Sequence, residues 1–186
     1  MMGEQHKKHN RREHLNDFHL NVAGEYVYDG ALYACQSSEE KQHRIKRAVW
    51  GMAAILIVAV IAGGCIPAPG MQNCFYVLLP YLGEFLGAAS VIWALAKLGM
   101  DWGTVREYNY KKSVAVLPVR TAVTAVFSLL GIVCELIFFF VNDHAGQTFF
   151  ALLYVLLKLI ALLSALVLRA EIMQAEWDKL PKKDNS

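Results

Sequence analysis

Four apolar stretches, 48–66, 75–96, 121–141 and 148–168, constrain this chain more than any other feature of it. They are 19, 22, 21 and 21 residues long, and the only carboxylate or ammonium side chains inside them are Glu84, Glu135 and Lys158. A helix rising about 1.5 Å per residue needs roughly 20 residues to cross a hydrocarbon core of about 30 Å, so all four are long enough. A lone strand would leave its backbone polar groups unsatisfied in lipid, which leaves the helix. Buried helices of a water-soluble protein would need a polar face to turn toward solvent, and these have none. The predicted fold class is an all-α integral membrane protein, a four-helix transmembrane bundle with a small cytoplasmic cap. Composition agrees: 56% of residues are apolar and 18% charged, against roughly 45–50% and about 25% in soluble domains.

Lys and Arg set the expected direction. Of the 18 in the chain, all but Lys158 fall before the first span, in the loop joining the second and third spans, or in the tail. The loops 67–74 and 142–147 contain none. By the positive-inside rule both termini and the middle loop are predicted to be cytoplasmic, in a multi-pass protein of the cell membrane. Trp50 and Trp93 then lie near the inner interface, and Phe75, Tyr76, Phe149 and Phe150 near the outer one. The first apolar run follows a polar segment too long for the n-region of a signal peptide, so span one reads as an uncleaved anchor. The Ala62-Gly63-Gly64-Cys65 run resembles a lipoprotein cleavage box only superficially, since the second span starts so soon after it.

The polar parts divide into an N-terminal segment, 1–47, and a C-terminal helix and tail, 169–186. Within 25–34, the dipeptide Asp29-Gly30 is flanked by aromatic and β-branched residues. That pattern predicts a hairpin with a type I′ turn that sets Val27 opposite Leu32 and Tyr26 opposite Tyr33. Two strands alone are marginal in water, so the hairpin either lies against something, such as the loop carrying Tyr108 and Tyr110, or gives way to a tail with a local turn. His6, His9, His14 and His19 have no established ligand spacing and read as solvated side chains on a frayed helix, with no metal. Arg169 to Leu180 keeps helical patterning up to Pro181 and reads as span four projecting into the cytoplasm. A tight turn over 66–73 would bring Cys65 and Cys74 within disulfide reach; the alternative is two small residues at helix ends.

Helical spacing inside the spans is the most informative pattern. Thr121, Thr124, Ser128, Gly131, Glu135, Phe138 and Asn142 step by alternating threes and fours along one face of span three. Ala151, Tyr154, Lys158, Ala161 and Ala165 do the same in span four. Span two sets Pro80, Tyr81, Glu84, Gly87 and Ala88 to one side, and Gly83 and Gly87 form a GxxxG pair suited to close helix approach, within the chain or in a homodimer. Span one, with Gly51, Ala54, Ala59 and Gly63 less well ordered, is expected to be an outer stave. Counted from the outer ends, Glu84 is the tenth residue of span two, Lys158 the eleventh of span four and Glu135 the seventh of span three, so the three are matched in depth. An intramembrane charge is expensive unless paired, so these residues are either functional or a lock for the bundle, with Glu84 the preferred partner of Lys158.

No catalytic constellation, phosphate loop or cofactor motif appears, so no enzyme and no cofactor are expected. A net charge of +2 argues against a nucleic-acid partner, and four cysteines are too few for a disulfide scaffold. Beyond the lipid bilayer, two roles remain. One is an accessory or assembly protein that contacts a membrane-protein partner or a second copy of itself. The other is a small channel or transporter using Glu84, Glu135 and Lys158. Reporter fusions at either terminus or at Glu107 should report cytoplasm, and fusions at Gly70 or Ala145 should report the outside. Cytoplasmic signal at Gly70 would overturn the four-span topology or its direction.

Overall fold

A computed structural model describes residues 18–20, 26–28, 30–99, 102–142 and 147–180. The described chain is mostly helical, and four of its helices are long and apolar enough to cross a membrane. In chain order the helices are α1 (Glu39–Cys65), α2 (Pro69–Asn73), α3 (Phe75–Leu98), α4 (Glu107–Lys112), α5 (Leu117–Val141) and α6 (Thr148–Met173). Five short strands accompany them: β1 (Phe18–Leu20), β2 (Tyr26–Tyr28), β3 (Leu32–Cys35), β4 (Thr104–Arg106) and β5 (Trp177–Lys179).

The four long helices form a ring. α1 packs along α6, α6 along α5, α5 along α3, and α3 closes more sparingly on α1. Span one is therefore a full member of the ring rather than an outer stave. Its buried line, Ile45, Val49, Ala53, Leu56, Val60 and Gly63, follows the helical period. The ring is apolar outside and carries its polar groups inside. Val58, Leu86, Val126 and Leu152 are exposed, while Glu84, Thr121, Thr124, Ser128, Glu135 and Lys158 are buried. That inversion suits a lipid surround, where burial of apolar side chains gives helices no reason to associate and close packing must do so.

Gly83 and Gly87 supply part of that packing, inside the chain. A Cβ on Gly87 would lie 2.6 Å from Thr124 Oγ1 and 3.3 Å from Thr124 Cα, and one on Gly83 would meet the Phe127 ring at 2.5 Å. Of the two uses open to that face, the structure takes the one within the chain: α5 occupies it, at a distance the glycines allow.

The helices reach beyond the apolar spans at the sheet end. α1 begins at Glu39, where Ser38 Oγ accepts from the Lys41 backbone N–H at 3.4 Å, so the end of the polar N-terminal segment forms its first turns. The strands there differ from the predicted hairpin. β2 pairs with β1 (Leu20 opposite Tyr26, Phe18 opposite Tyr28), and β3 pairs with β4 on one side and β5 on the other. Asp29 lies outside the described residues. Tyr33, expected opposite Tyr26, instead faces Val105 and Lys179. The physical reason is area: a lone hairpin buries little, whereas a strand between two others docks on the bundle. Trp102 and Val105 join Ile45, Val49, Leu98, Leu168 and Ile172 in one core, and Tyr33 stacks on Tyr110 with ring centroids 4.1 Å apart.

The same sheet overrides helical patterning in the tail. α6 stops at Met173, and Trp177 to Lys179 run as a strand against β3, fastened by Gln36 N–H to the Glu176 carbonyl (2.9 Å) and Leu180 N–H to the Leu32 carbonyl (2.8 Å). His19 sits in β1 rather than on a helix, and His6, His9 and His14 lie outside the described residues. Because β3 precedes α1, β4 separates α3 from α5 and β5 follows α6, all three segments end on one side of the bundle.

At the opposite end, the loop after α1 is not a tight turn. It holds the one-turn helix α2, with Ala68, Pro69 and Gly70 buried against the bundle. Cys65 and Cys74 are free thiols, the first of them exposed. Gly87→Val should lower detergent-solubilised stability by about 1–3 kcal/mol through overpacking against Thr124. Gly51→Ala, whose Cβ meets nothing within 4 Å, should not lower the melting temperature and gains helix propensity; equal melting of both variants would refute the close α3–α5 approach.

Candidate functional site

The residues singled out by spacing converge in the ring's interior, from three helices. α3 delivers Glu84, α5 delivers Ser128 and Gly131, and α6 delivers Lys158 and Tyr154. Glu84 and Lys158 form a salt bridge, with 0% and 1% of their surfaces exposed. α3 and α6 stand diagonally across the ring, so this pair joins helices whose backbones do not pack along one another.

Both carboxylate oxygens are engaged. Oε2 accepts from Lys158 Nζ, and Oε1 accepts from Ser128 Oγ at 2.7 Å. Ser128 has one proton to give; the Thr124 carbonyl lies 3.1 Å away, and the shorter contact to a charged acceptor takes it. The ammonium lies 4.6 Å from the Tyr81 ring centroid and 5.0 Å from that of Tyr154, two aromatic faces that stand where water would otherwise sit. Gly131 lies beside the lysine stem, where a Cβ would meet Lys158 Cε at 3.6 Å, an ordinary van der Waals contact. Buried ions cost free energy unless partners meet them, and here each carboxylate oxygen accepts one hydrogen bond and the ammonium donates one.

The other polar positions on α5 are spent locally. Thr121 Oγ1 donates to the Leu117 carbonyl at 3.0 Å and Thr124 Oγ1 to the Arg120 carbonyl at 2.8 Å. Such back-bonding satisfies a hydroxyl on its own helix and leaves no proton for a solute. Asn142, the last residue of the predicted polar face, is exposed, and its amide donates to the Phe138 carbonyl at 3.0 Å.

Glu135 stands apart from the pair. Instead of joining Lys158 it meets the loop helix: the Gly70 N–H donates to its Oε1 at 3.4 Å, and its Oε2 is buried without a hydrogen-bond partner. Nearness to the end of α5 does not expose it, because α2 covers it. A Cβ on residue 70 would collide with the Glu135 carboxylate and lie 3.1 Å from Phe138 Cδ1, so glycine is needed for the approach. A void of about 20 Å³ beside Glu135 is lined by Leu136, Phe139, Ala151, Leu152 and Val155. The Tyr154 hydroxyl is likewise buried without a partner.

Spacing placed Tyr81 and Tyr154 on inward faces without assigning them to the ammonium. It missed Gly70 altogether; the available signal was Pro69 just before it, the residue that begins helices. Among the described residues no cluster of His, Cys, Asp and Glu could hold a metal ion. Compared with protein families, characterised proteins and solved structures, the chain matches none.

Removing one member of the pair strands the other. Glu84→Gln or Lys158→Met alone should each cost about 3–5 kcal/mol of detergent-solubilised stability, and the double variant should recover much of it. Thermal melts of the four proteins give the coupling; additive losses would show that the contact carries no energy.

Proposed function

We propose that the protein is a non-catalytic accessory or assembly protein of the cell membrane, working through protein contacts, with both termini and the β3–β4–β5 sheet in the cytoplasm. The observation that carries this reading is the closure of the Glu84–Lys158 site. A relay or permeation pathway needs access to its charges, and here both are buried and flanked by tyrosine rings, with the Ser128 hydroxyl engaged on Glu84. Neither the 20 Å³ void beside Glu135 nor a groove of about 940 Å³ along α1 is lined by Glu84 or Lys158. The sheet supports a contact role, since it presents a docked surface built from three segments at one end of the bundle. The orientation is supported by the Lys and Arg outside the spans, which among the described residues all belong to segments at the sheet end.

One observation favours a second reading, a small channel or transporter: Glu135 keeps an unpartnered carboxylate oxygen beside a void. Purification of the tagged full-length chain in mild detergent separates the two. A stoichiometric membrane partner, and liposomes no more permeable to protons or cations than empty ones, are expected. Flux through liposomes containing the protein, abolished by Glu135→Gln, would overturn the accessory role in favour of transport.

A further inference from the structure

α1 has a second face that the ring does not use. To one side of its buried line, Lys41, Arg44, Ala48, Gly51 and Ile55 recur in steps of three and four, with Arg47 alongside. These residues line the groove of about 940 Å³. Its end nearer the sheet is basic and its other end apolar, along a single helix face. Ala48 is half-buried, and Gly51 and Ile55 are exposed. A Cβ on Gly51 would meet nothing within 4 Å, so the apolar half is open.

The basic half is unusual among the cations at this end of the bundle. Arg120 Nη1 donates to the Ser90 carbonyl at 2.6 Å and Arg169 Nη1 to the Pro118 carbonyl at 3.2 Å. Lys111 pairs with Glu107 at 2.6 Å, Lys112 donates to the Tyr108 hydroxyl at 2.6 Å, and Lys97 lies 5.4 Å from the Trp93 ring centroid. Those cations serve the fold. The side chains of Lys41, Arg44 and Arg47 are exposed and have no acidic partner among the described residues, and Glu40 is the one acid lining the groove. Three cations with no acidic partner among the described residues, where an apolar helix face begins, complement one amphiphile: an anion joined to a hydrocarbon chain.

We propose that this face of α1 is a binding site for an anionic phospholipid. The phosphate is held by Lys41, Arg44 and Arg47, and an acyl chain lies along Ala48, Gly51 and Ile55. Arginine suits the role because its planar fork binds phosphate through two N–H groups at once. From Arg47 to Ile55 the helix rises about 12 Å, enough to order the upper part of an acyl chain. Gly51 leaves the space the chain fills.

The site rests on the four helices lying in a bilayer, so insertion is read separately, by flotation with zwitterionic liposomes. For lipid preference, the full chain is titrated in detergent with phosphatidylglycerol and, separately, phosphatidylcholine, and bound lipid is counted by native mass spectrometry. Tighter binding of phosphatidylglycerol is expected, weakening by about fivefold for each charge removed in Arg44→Gln and Arg47→Gln. Gly51→Phe, which fills the apolar half and leaves charge and core untouched, should weaken both lipids. Equal affinity for the two lipids, or phosphatidylglycerol binding indifferent to all three substitutions, would overturn the proposal while flotation stands. Photo-crosslinking from position 52 in cell membranes tests the occupant directly. An adduct with phospholipid supports the site, and an adduct with another part of the chain or another protein refutes it.

Discussion

The salt bridge between Glu84 and Lys158 is the interaction around which the bundle interior is arranged. It crosses the diagonal of a four-helix ring, where neighbouring helices pack on each other and opposite ones do not. A charge in such an interior must be met by its partner and by hydrogen bonds, or its desolvation cost goes uncompensated. The surrounding residues follow from that demand. Ser128 donates to the free carboxylate oxygen, and Tyr81 and Tyr154 face the ammonium with their rings. The pair also fixes register, since sliding α6 by one turn along α3 would separate the charges by about 5.4 Å.

Around this centre the bundle is held by proximity. Its outer surface is apolar, so packing and small residues must bring the helices together. Gly83 and Gly87 let α5 settle onto α3, with Phe127 and Thr124 filling the space a side chain would take. Gly64 does the same for α1, where a Cβ would strike the Tyr81 hydroxyl. Thus α1, which contributes no charge, still helps position a ring against Lys158. The far end is closed by α2, whose Gly70 approaches Glu135 more nearly than any other residue type could.

The sheet at the other end solves a different problem. Three segments leave the helices on the same side, each too short to bury itself alone. Pairing all three around β3 satisfies their backbones together and lets Trp102, Val105 and Trp177 cover the end of the helical core. The price is the continuation of α6, which ends at Met173 although helical patterning runs on to Leu180.

What could be known from the sequence was what depends on local period and on solvent. Runs of apolar residues long enough for a bilayer mark four helices, and charges or small residues recurring every three or four positions mark their inner faces. Thr121, Thr124, Ser128, Gly131 and Glu135 are all buried on one side of α5, and Ala151, Tyr154, Lys158, Ala161 and Ala165 on one side of α6. Depth counting even paired Glu84 with Lys158, because a helix converts residue number into height linearly. Tertiary structure decided everything that depends on which segments meet. Helical period cannot say that the GxxxG face belongs to α5 rather than to a second copy, or that α2 folds inward onto Glu135. Nor can it say that β3 will prefer β4 and β5 to its neighbour in sequence. Those choices compare the surface buried by alternative long-range contacts, and that comparison exists only once the helices have brought their ends together.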